Sequence, residues 1–275
     1  MLKRCALLAA LAAVLVTIAG SAGAITGNYQ KDFEHDFVGL LVVYDANGEF
    51  AGRCSGSLIS PTVFVTAGHC TTGSDEARIY FQQDAGVNYD PATGVDPITG
   101  YPETGGYTGT PYNFGFDGFA SFPNTRDAGV VILDGAGYTP PSGKFGVLPQ
   151  LGAVDAYAAQ KKQDARFTVS GYGLSDKDPV IVSFRERLRA ESYLVNNEAP
   201  ITEFNLKTTA NPSQGKGGTC NGDSGGPVFF RGTNVITAVT SFGFNGQCKG
   251  LDFSYRLDRA PVLAWINDPN RVDAG

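Results

Sequence analysis

Near its C-terminal end this 275-residue chain reads Gly222-Asp223-Ser224-Gly225-Gly226-Pro227, and two histidines, His35 and His69, are present to serve that serine. A serine flanked by glycines sits on a tight turn that exposes its hydroxyl. The missing side chains let backbone N–H groups approach an oxygen that gains charge. The chemistry suggested is nucleophilic attack by Ser224 with a histidine as general base. Read as G-x-S-x-G, the string also fits the nucleophile elbow of a large hydrolase class whose histidine follows its serine. No histidine follows Ser224, which excludes that class. The base must precede the nucleophile.

His69 lies in Val65-Thr66-Ala67-Gly68-His69-Cys70, just after the apolar run Ser57–Phe64. A strand ending in a small-residue turn holds an imidazole at a rim rather than in a core. The plain role of a lone histidine is surface or structural, but Cys70 beside it and Cys54 upstream frame this one. His35, in Phe33-Glu34-His35-Asp36-Phe37, has no such frame and is expected to be a solvated loop residue. The orienting carboxylate is assigned to Asp127, between a polar approach and the apolar run Ala128–Leu133. Such a run reads as a buried strand. A carboxylate at its mouth is partly desolvated and suited to hold the Nδ1–H of His69. Asp117 and Asp134 are neighbours of the same type, and turn capping is the plainer role for any of the three.

These blocks resemble the chymotrypsin-like, trypsin-family secreted serine proteases. The histidine block is similar to that family's T-A-A-H-C, with Gly68 for the second alanine, and the Asp127 block loosely matches D-I-A-L-L. Cys54-Ser55-Gly56-Ser57-Leu58-Ile59 resembles C-G-G-S-L-I, Val169-Ser170-Gly171-Tyr172-Gly173 resembles V-T-G-W-G, and Ser241-Phe242-Gly243 resembles S-W-G. The resemblance implies an all-β fold of two antiparallel six-stranded barrels with the site between them. It further implies a His69–Asp127–Ser224 triad, an oxyanion hole from the Gly222 and Ser224 amides, and disulfides Cys54–Cys70 and Cys220–Cys248. No cofactor or metal is implied. The implied partners are polypeptide substrates and protein protease inhibitors, and the implied state is a monomer. The rival reading is a non-catalytic binding protein on the same scaffold, since a fold does not fix function.

By the same resemblance the substrate pocket draws on Gly218, Thr219, Ser241, Phe242 and Gly243. A trypsin would carry Asp where Gly218 stands. Two registers remain open for the far wall. With Tyr255 matched to the family's V-Y tyrosine, Phe253 faces inward and a small or apolar preference follows. A shift of one residue turns Asp252 inward, where it could bind a basic side chain. Cleavage after Ala24 would make Ile25-Thr26-Gly27 a new N-terminus resembling I-V-G-G. Its amine would then pair with Asp223.

Composition agrees with many short strands: 36 Gly, 15 Pro and few long helical patterns. One barrel is expected over about 25–141 and the second over about 142–257, with a Pro/Gly linker at Tyr138–Gly143. A helix is expected over about 258–267, capped by Asp258 and burying Val262, Trp265 and Ile266 on one face. Residues 1–24 read as a signal peptide: Lys3 and Arg4, an apolar segment Ala6–Ile18, then Ala22-Gly23-Ala24. An uncleaved anchor is less suited, because the apolar stretch is short for a bilayer. Cleavage would remove Cys5 and leave four cysteines, whose spacing lacks C-x-x-C and favours disulfides in an exported chain over a metal site. Losing Lys3 and Arg4 takes the net charge from −6 to −8. That balance argues against nucleic-acid binding. The expected location is secreted, extracellular or periplasmic, with no membrane association after cleavage. The Gly-, Pro- and Tyr-rich stretch 85–118 is longer than the family's usual connection and reads as a loop insertion near the cleft.

Overall fold

Apolar, β-branched runs bounded by turn residues build two large antiparallel sheets, beside two small two-stranded ones, in the computed structural model. It describes residues 25–85, 106–160, 165–176, 182–183, 185–195, 201–211 and 215–273. The expected signal segment and residues 86–105 of the expected insertion lie outside them. The first sheet is a closed six-stranded barrel. Its strands run in the spatial order Val38–Tyr44, Phe50–Leu58, Val63–Thr66, Gly129–Leu133, Tyr107–Asn113 and Glu76–Tyr80. Val38–Tyr44 is buried along its whole length. Tight packing also sets where glycine must stand: a Cβ on Gly56 would meet the Phe64 ring at 2.3 Å.

The second sheet orders Asn205–Ala210, Gly250–Arg256, Ile236–Gly243, Pro227–Phe230, Arg166–Gly171 and Leu188–Tyr193. A bridge between Leu194 and Thr208, with Val195 N–H donating to Lys207 O at 2.9 Å, brings the two ends together. The N-terminal strand Tyr29–Lys31 adds a seventh member, pairing with Leu188–Ala190. The second half is therefore a barrel joined at one bridge and extended by one strand. Residues 26–31 thus pair with the second sheet before the chain enters the first.

Buried charge ties the halves together. The Arg187 guanidinium is buried and donates to the carbonyls of Asp32 (2.9 Å), Val38 (3.2 Å) and Phe81 (3.0 Å). Asp258 does not cap the C-terminal helix. That helix, Ala260–Asn267, begins behind Arg259 with no side-chain cap and with a proline in its first turn. Asp258 is fully buried and serves Arg256, at 2.8 Å through both oxygens, and the Val154 amide at 2.8 Å. Arg256 also meets the exposed Asp155 at 2.8 Å, and Asp258 supplies its buried counter-charge, a demand that outranks a cap. Val262 and Ile266 are buried, as the helical spacing requires, and Trp265 is partly buried.

His35 is not solvated. It is 4% exposed and stacks on Phe229 with ring centroids 4.5 Å apart. Its Nδ1 contacts Asp32 Oδ2 at 2.8 Å, and Ser170 Oγ donates to the same oxygen at 2.7 Å. The short motif around His35 looks polar, but neighbours distant in sequence enclose it. Burial acts to raise the Asp32 carboxyl, and the hydrogen bond and attraction of His35, with Ser170, outweigh it and hold Asp32 at about 2. An unfolded aspartate titrates near 3.9. The resulting stability is complete above that value and is lost as pH falls through about 2. Urea unfolding should find Asp32→Asn less stable than wild type by about 2 kcal/mol at neutral pH. The gap should narrow on acidification, and a gap constant down to pH ~2 would refute this role.

Candidate functional site

His69 stands on a single helical turn, Gly68–Thr71, that follows the strand Val63–Thr66. Three constraints hold the turn. Cys54 and Cys70 are joined as a disulfide. Asn113 Nδ2 donates to the Gly68 carbonyl at 3.1 Å. At position 68 itself, a Cβ would lie 2.9 Å from Phe116 Cβ and 3.0 Å from the Ala128 oxygen, so glycine stands there for lack of room. The sulfurs of Cys54 and Cys70 lie near the His69 ring, but they are spent on each other and are not a metal donor set.

Asp127 precedes the strand Gly129–Leu133 and has no exposed surface. Its Oδ1 accepts the His69 backbone N–H at 2.8 Å, and its Oδ2 meets His69 Nδ1 at 2.9 Å. Ser241 Oγ, from the second barrel, donates to Oδ2 by a short hydrogen bond. Ser241 therefore positions the carboxylate besides bordering the pocket. Burial acts to lower the His69 pKa, and the Asp127 charge and hydrogen bond outweigh it and raise the imidazole above its ordinary value.

Ser224 shares the cleft with His69. Its glycine frame is required on both sides. Gly222 has φ +96°, and Gly225 has φ +76° with Thr66 Oγ1 and the Ser55 carbonyl where a Cβ would go. Among the described residues, neither the Gly222 nor the Ser224 amide donates to a protein acceptor. The Asp223 side chain turns inward beneath them. It accepts from the Gly173 amide at 2.8 Å and the Cys220 amide at 2.9 Å, and from the backbone of Ile25. Burial pushes this carboxyl up to about 7 against those bonds. Ile25 is fully buried, and the strand Thr26–Gly27 pairs antiparallel with Gly217–Gly218.

A cleft of about 380 Å³ opens beside Ser224 and His69, with Thr219, Ser241, Phe242, Gly243 and Asp252 in its walls. Asp252 Oδ2 accepts the Thr219 amide at 2.6 Å, and burial pushes the carboxyl up to about 7. Phe253 does not line the cleft. Side chains alternate along a strand, so with Asp252 facing in, Phe253 turns away and stacks on Phe242 with centroids 4.8 Å apart. Gly218 is not a wall either, but a Cβ there would come within 2.7 Å of Asp252 Oδ2, so its bareness lets the carboxylate sit where it does. Cys220 and Cys248 are joined and border the same cleft. Phe119, Asn221, Asn245 and Lys249 also line the walls and were not foreseen from sequence. They lie in loops whose strings carry no chemical pattern.

The family model described as Trypsin matches residues 41–266. The chain belongs to the trypsin family. Brachyurin from Leptuca pugilator is 26% identical over 199 residues, covering 71% of this chain and 78% of that protein. Among solved structures, HL collagenase superposes with a TM-score of 0.61 at 17% identity, over 86% of this chain and 93% of that one. Human heparin binding protein does so at 0.59 and 21%, over 90% and 100%. At those identities the structural likeness is one of fold, the chymotrypsin-like fold of this trypsin-family chain.

The His69 geometry makes a direct prediction. NMR titration of the imidazole should give a pKa above the ordinary ~6.5 in wild type. In Asp127→Asn it should fall below that value, because burial is then unopposed. A raised histidine pKa stabilises the fold fully below the unfolded value and loses that stabilisation as pH rises through the folded one. An unchanged titration in Asp127→Asn would show that another group governs the ring.

Proposed function

We propose that this protein is a secreted serine endopeptidase that cleaves polypeptides, with preference for a basic side chain before the cleaved bond. The observation that carries the reading is the buried Asp127 carboxylate bound to His69 Nδ1 in the cleft that Ser224 lines. Ser224 Oγ attacks the peptide carbonyl while His69 Nε2 takes its proton. Two donors, the Gly222 and Ser224 amides, face the oxygen that gains charge, and losing one such donor costs on the order of a hundredfold in rate. Collapse of the intermediate breaks the C–N bond, and His69 returns the proton to the leaving amine. Water, activated by His69 in turn, then hydrolyses the acyl-enzyme. A non-catalytic binder on this scaffold would have no use for the whole set, so it is not the reading adopted.

Activation follows from the chain start. Cleavage after Ala24 would turn the Ile25 amide that reaches Asp223 into an ammonium at the same place. The pair raises the amine's pKa, so its stabilisation is complete below the unfolded value and fades as pH rises through the folded one. A fluorophosphonate probe tests both ideas together. The chain beginning at Ile25 should label, Ser224→Ala should not, and a chain with one extra residue before Ile25 should label far more slowly. No labelling of the Ile25 form would sink the peptidase reading, and equal labelling of the extended form would sink the activation step alone.

Asp252 supports the substrate preference and replaces the apolar pocket expected from Phe253. A trypsin's carboxylate would stand at Gly218, and here it comes from the facing wall. Asp252→Asn should reduce kcat/KM for arginine substrates about a hundredfold, with far less effect on leucine substrates. In wild type the arginine-to-leucine ratio should climb as pH rises through about 7, where Asp252 ionises. In Asp252→Asn the ratio should be flat, and a climb that persists there would rule out Asp252 as the selector.

A further inference from the structure

The strand Phe50–Leu58 of the first barrel carries one residue that reaches across to the serine loop. Ser55 has no exposed surface, and each of its polar groups is engaged. Its backbone N–H donates to the Ser224 carbonyl at 2.8 Å, and its carbonyl accepts from Thr66 Oγ1 at 2.8 Å. Its hydroxyl donates to the Gly222 carbonyl at 2.9 Å and accepts the Tyr172 amide at 2.9 Å. The same residue thus holds the nucleophile's own carbonyl and, through its side chain, the glycine two positions earlier. In C-G-G-S-L-I, the string that Cys54–Ile59 resembles, glycine stands at this place, so the hydroxyl is a departure of this chain.

Gly222 is the part of that loop with most need of a hold. Its φ of +96° lies where glycine alone is at ease, and no side chain limits its rotation. Its N–H is one of the two donors proposed for the oxyanion, and among the described residues it donates to no protein acceptor. A donor kept open for substrate has to be fixed through the carbonyls on either side. The Asn221 carbonyl shares a rigid peptide plane with the Gly222 N–H and accepts from the Leu174 amide at 2.8 Å. The next plane carries the Gly222 carbonyl, and there the Ser55 hydroxyl is the donor. Both planes flanking the Gly222 Cα are thereby pinned, and with them the direction of the N–H. Because the Tyr172 amide already donates to the Ser55 hydroxyl, the hydroxyl's own hydrogen is turned toward Gly222.

We propose that Ser55 is a positioning residue for the oxyanion hole: its hydroxyl fixes the Gly222–Asp223 peptide so that the Gly222 N–H meets the oxygen that gains charge. The inference rests on the peptidase reading. It adds a device that acts from the first barrel, apart from the contact between Ile25 and Asp223. A donor held in place beforehand needs no reorganisation as charge develops. A donor on an unpinned glycine must be ordered in the transition state, which slows the reaction without weakening substrate binding.

The test compares Ser55→Ala with wild type in the chain beginning at Ile25. On an arginine peptide substrate kcat should fall about tenfold, less than for a donor removed outright, while KM stays within about twofold. A peptide ending in an arginine aldehyde is the second probe. Ser224 Oγ adds to its carbonyl carbon, the C=O electron pair moves onto the oxygen in the hole, and the serine proton passes to His69. This aldehyde should bind Ser55→Ala about tenfold more weakly, whereas the matching peptide carboxamide should bind both proteins within about twofold. Thr237→Val controls for lost stability. It removes another fully buried hydroxyl, bonded to the Val228 carbonyl at 2.7 Å, and should leave kcat unchanged. If Ser55→Ala does not fold, Ser55→Gly is read in the same way, glycine being the residue of the resembling string. An unchanged kcat, equal weakening of aldehyde and carboxamide, or a matching fall in Thr237→Val overturns the role of Ser55. Wild type that cleaves no peptide yet prefers the aldehyde, with that preference reduced in Ser55→Ala, sinks the peptidase reading and leaves the Ser55 role standing. Wild type that neither cleaves nor prefers the aldehyde sinks both.

Discussion

A carboxylate sealed from water is the constraint from which the rest of the site follows. Asp127 has no exposed surface, and an unpartnered buried charge is costly enough to unfold a domain of ordinary stability. Its donors come from both barrels: the His69 amide and ring from the first, the Ser241 hydroxyl from the second. Meeting that demand fixes the barrels relative to each other and fixes the imidazole relative to Ser224. The disulfide at Cys70, the bare Gly68 and the Asn113 bond to its carbonyl all limit where the ring can go. The pairing that orients the imidazole is thus also a fastening of the fold.

The serine side obeys the same rule. Beneath the segment Thr219–Ser224 lie Asp223 and Asp252, both buried and both bound by backbone amides. Those amides belong to Gly173, Cys220 and Thr219, so each carboxylate shapes the loop above it. The strand Thr26–Gly27 pairs with Gly217–Gly218, immediately before Thr219. The strand Thr26–Gly27 and the segment that leads into Thr219 are therefore one piece of structure.

What could be read from sequence was what local chemistry dictates. Glycines around Ser224, a cysteine beside His69 and a carboxylate before an apolar run each carry their reason in neighbouring residues. The strands were legible for the same cause, as short β-branched runs between turn residues. The misreadings came where the deciding partner is far along the chain. His35 looked solvated because Phe229 and Ser170 are invisible from its own motif. Asp258 looked like a helix cap because its debt to Arg256 and Val154 is tertiary. The choice between Asp252 and Phe253 turned on a single residue of register, which inverts the face of every side chain on the strand. Phe119 left no signal, since a phenylalanine in a loop reads as a scattered core residue until its exposure is known.

Outside the Asp127–His69 pair, the buried aspartates of the described residues divide into two kinds by what binds them. Those of the scaffold are bound to a basic side chain of the protein itself. His35 and Ser170 hold Asp32 at about 2, and the guanidinium of Arg256 occupies both oxygens of Asp258. In the serine loop the partners are mainly neutral amides, and burial pushes Asp223 and Asp252 up to about 7, with Arg53 a lesser attraction on Asp223. A carboxylate bound to a resident cation has little further affinity to offer. One held by amides is shaped but not neutralised, and a cation reaching it relieves the cost of burial as well as adding attraction. The proposed function uses both places: a newly freed chain terminus would meet Asp223, and a basic side chain of a substrate would meet Asp252.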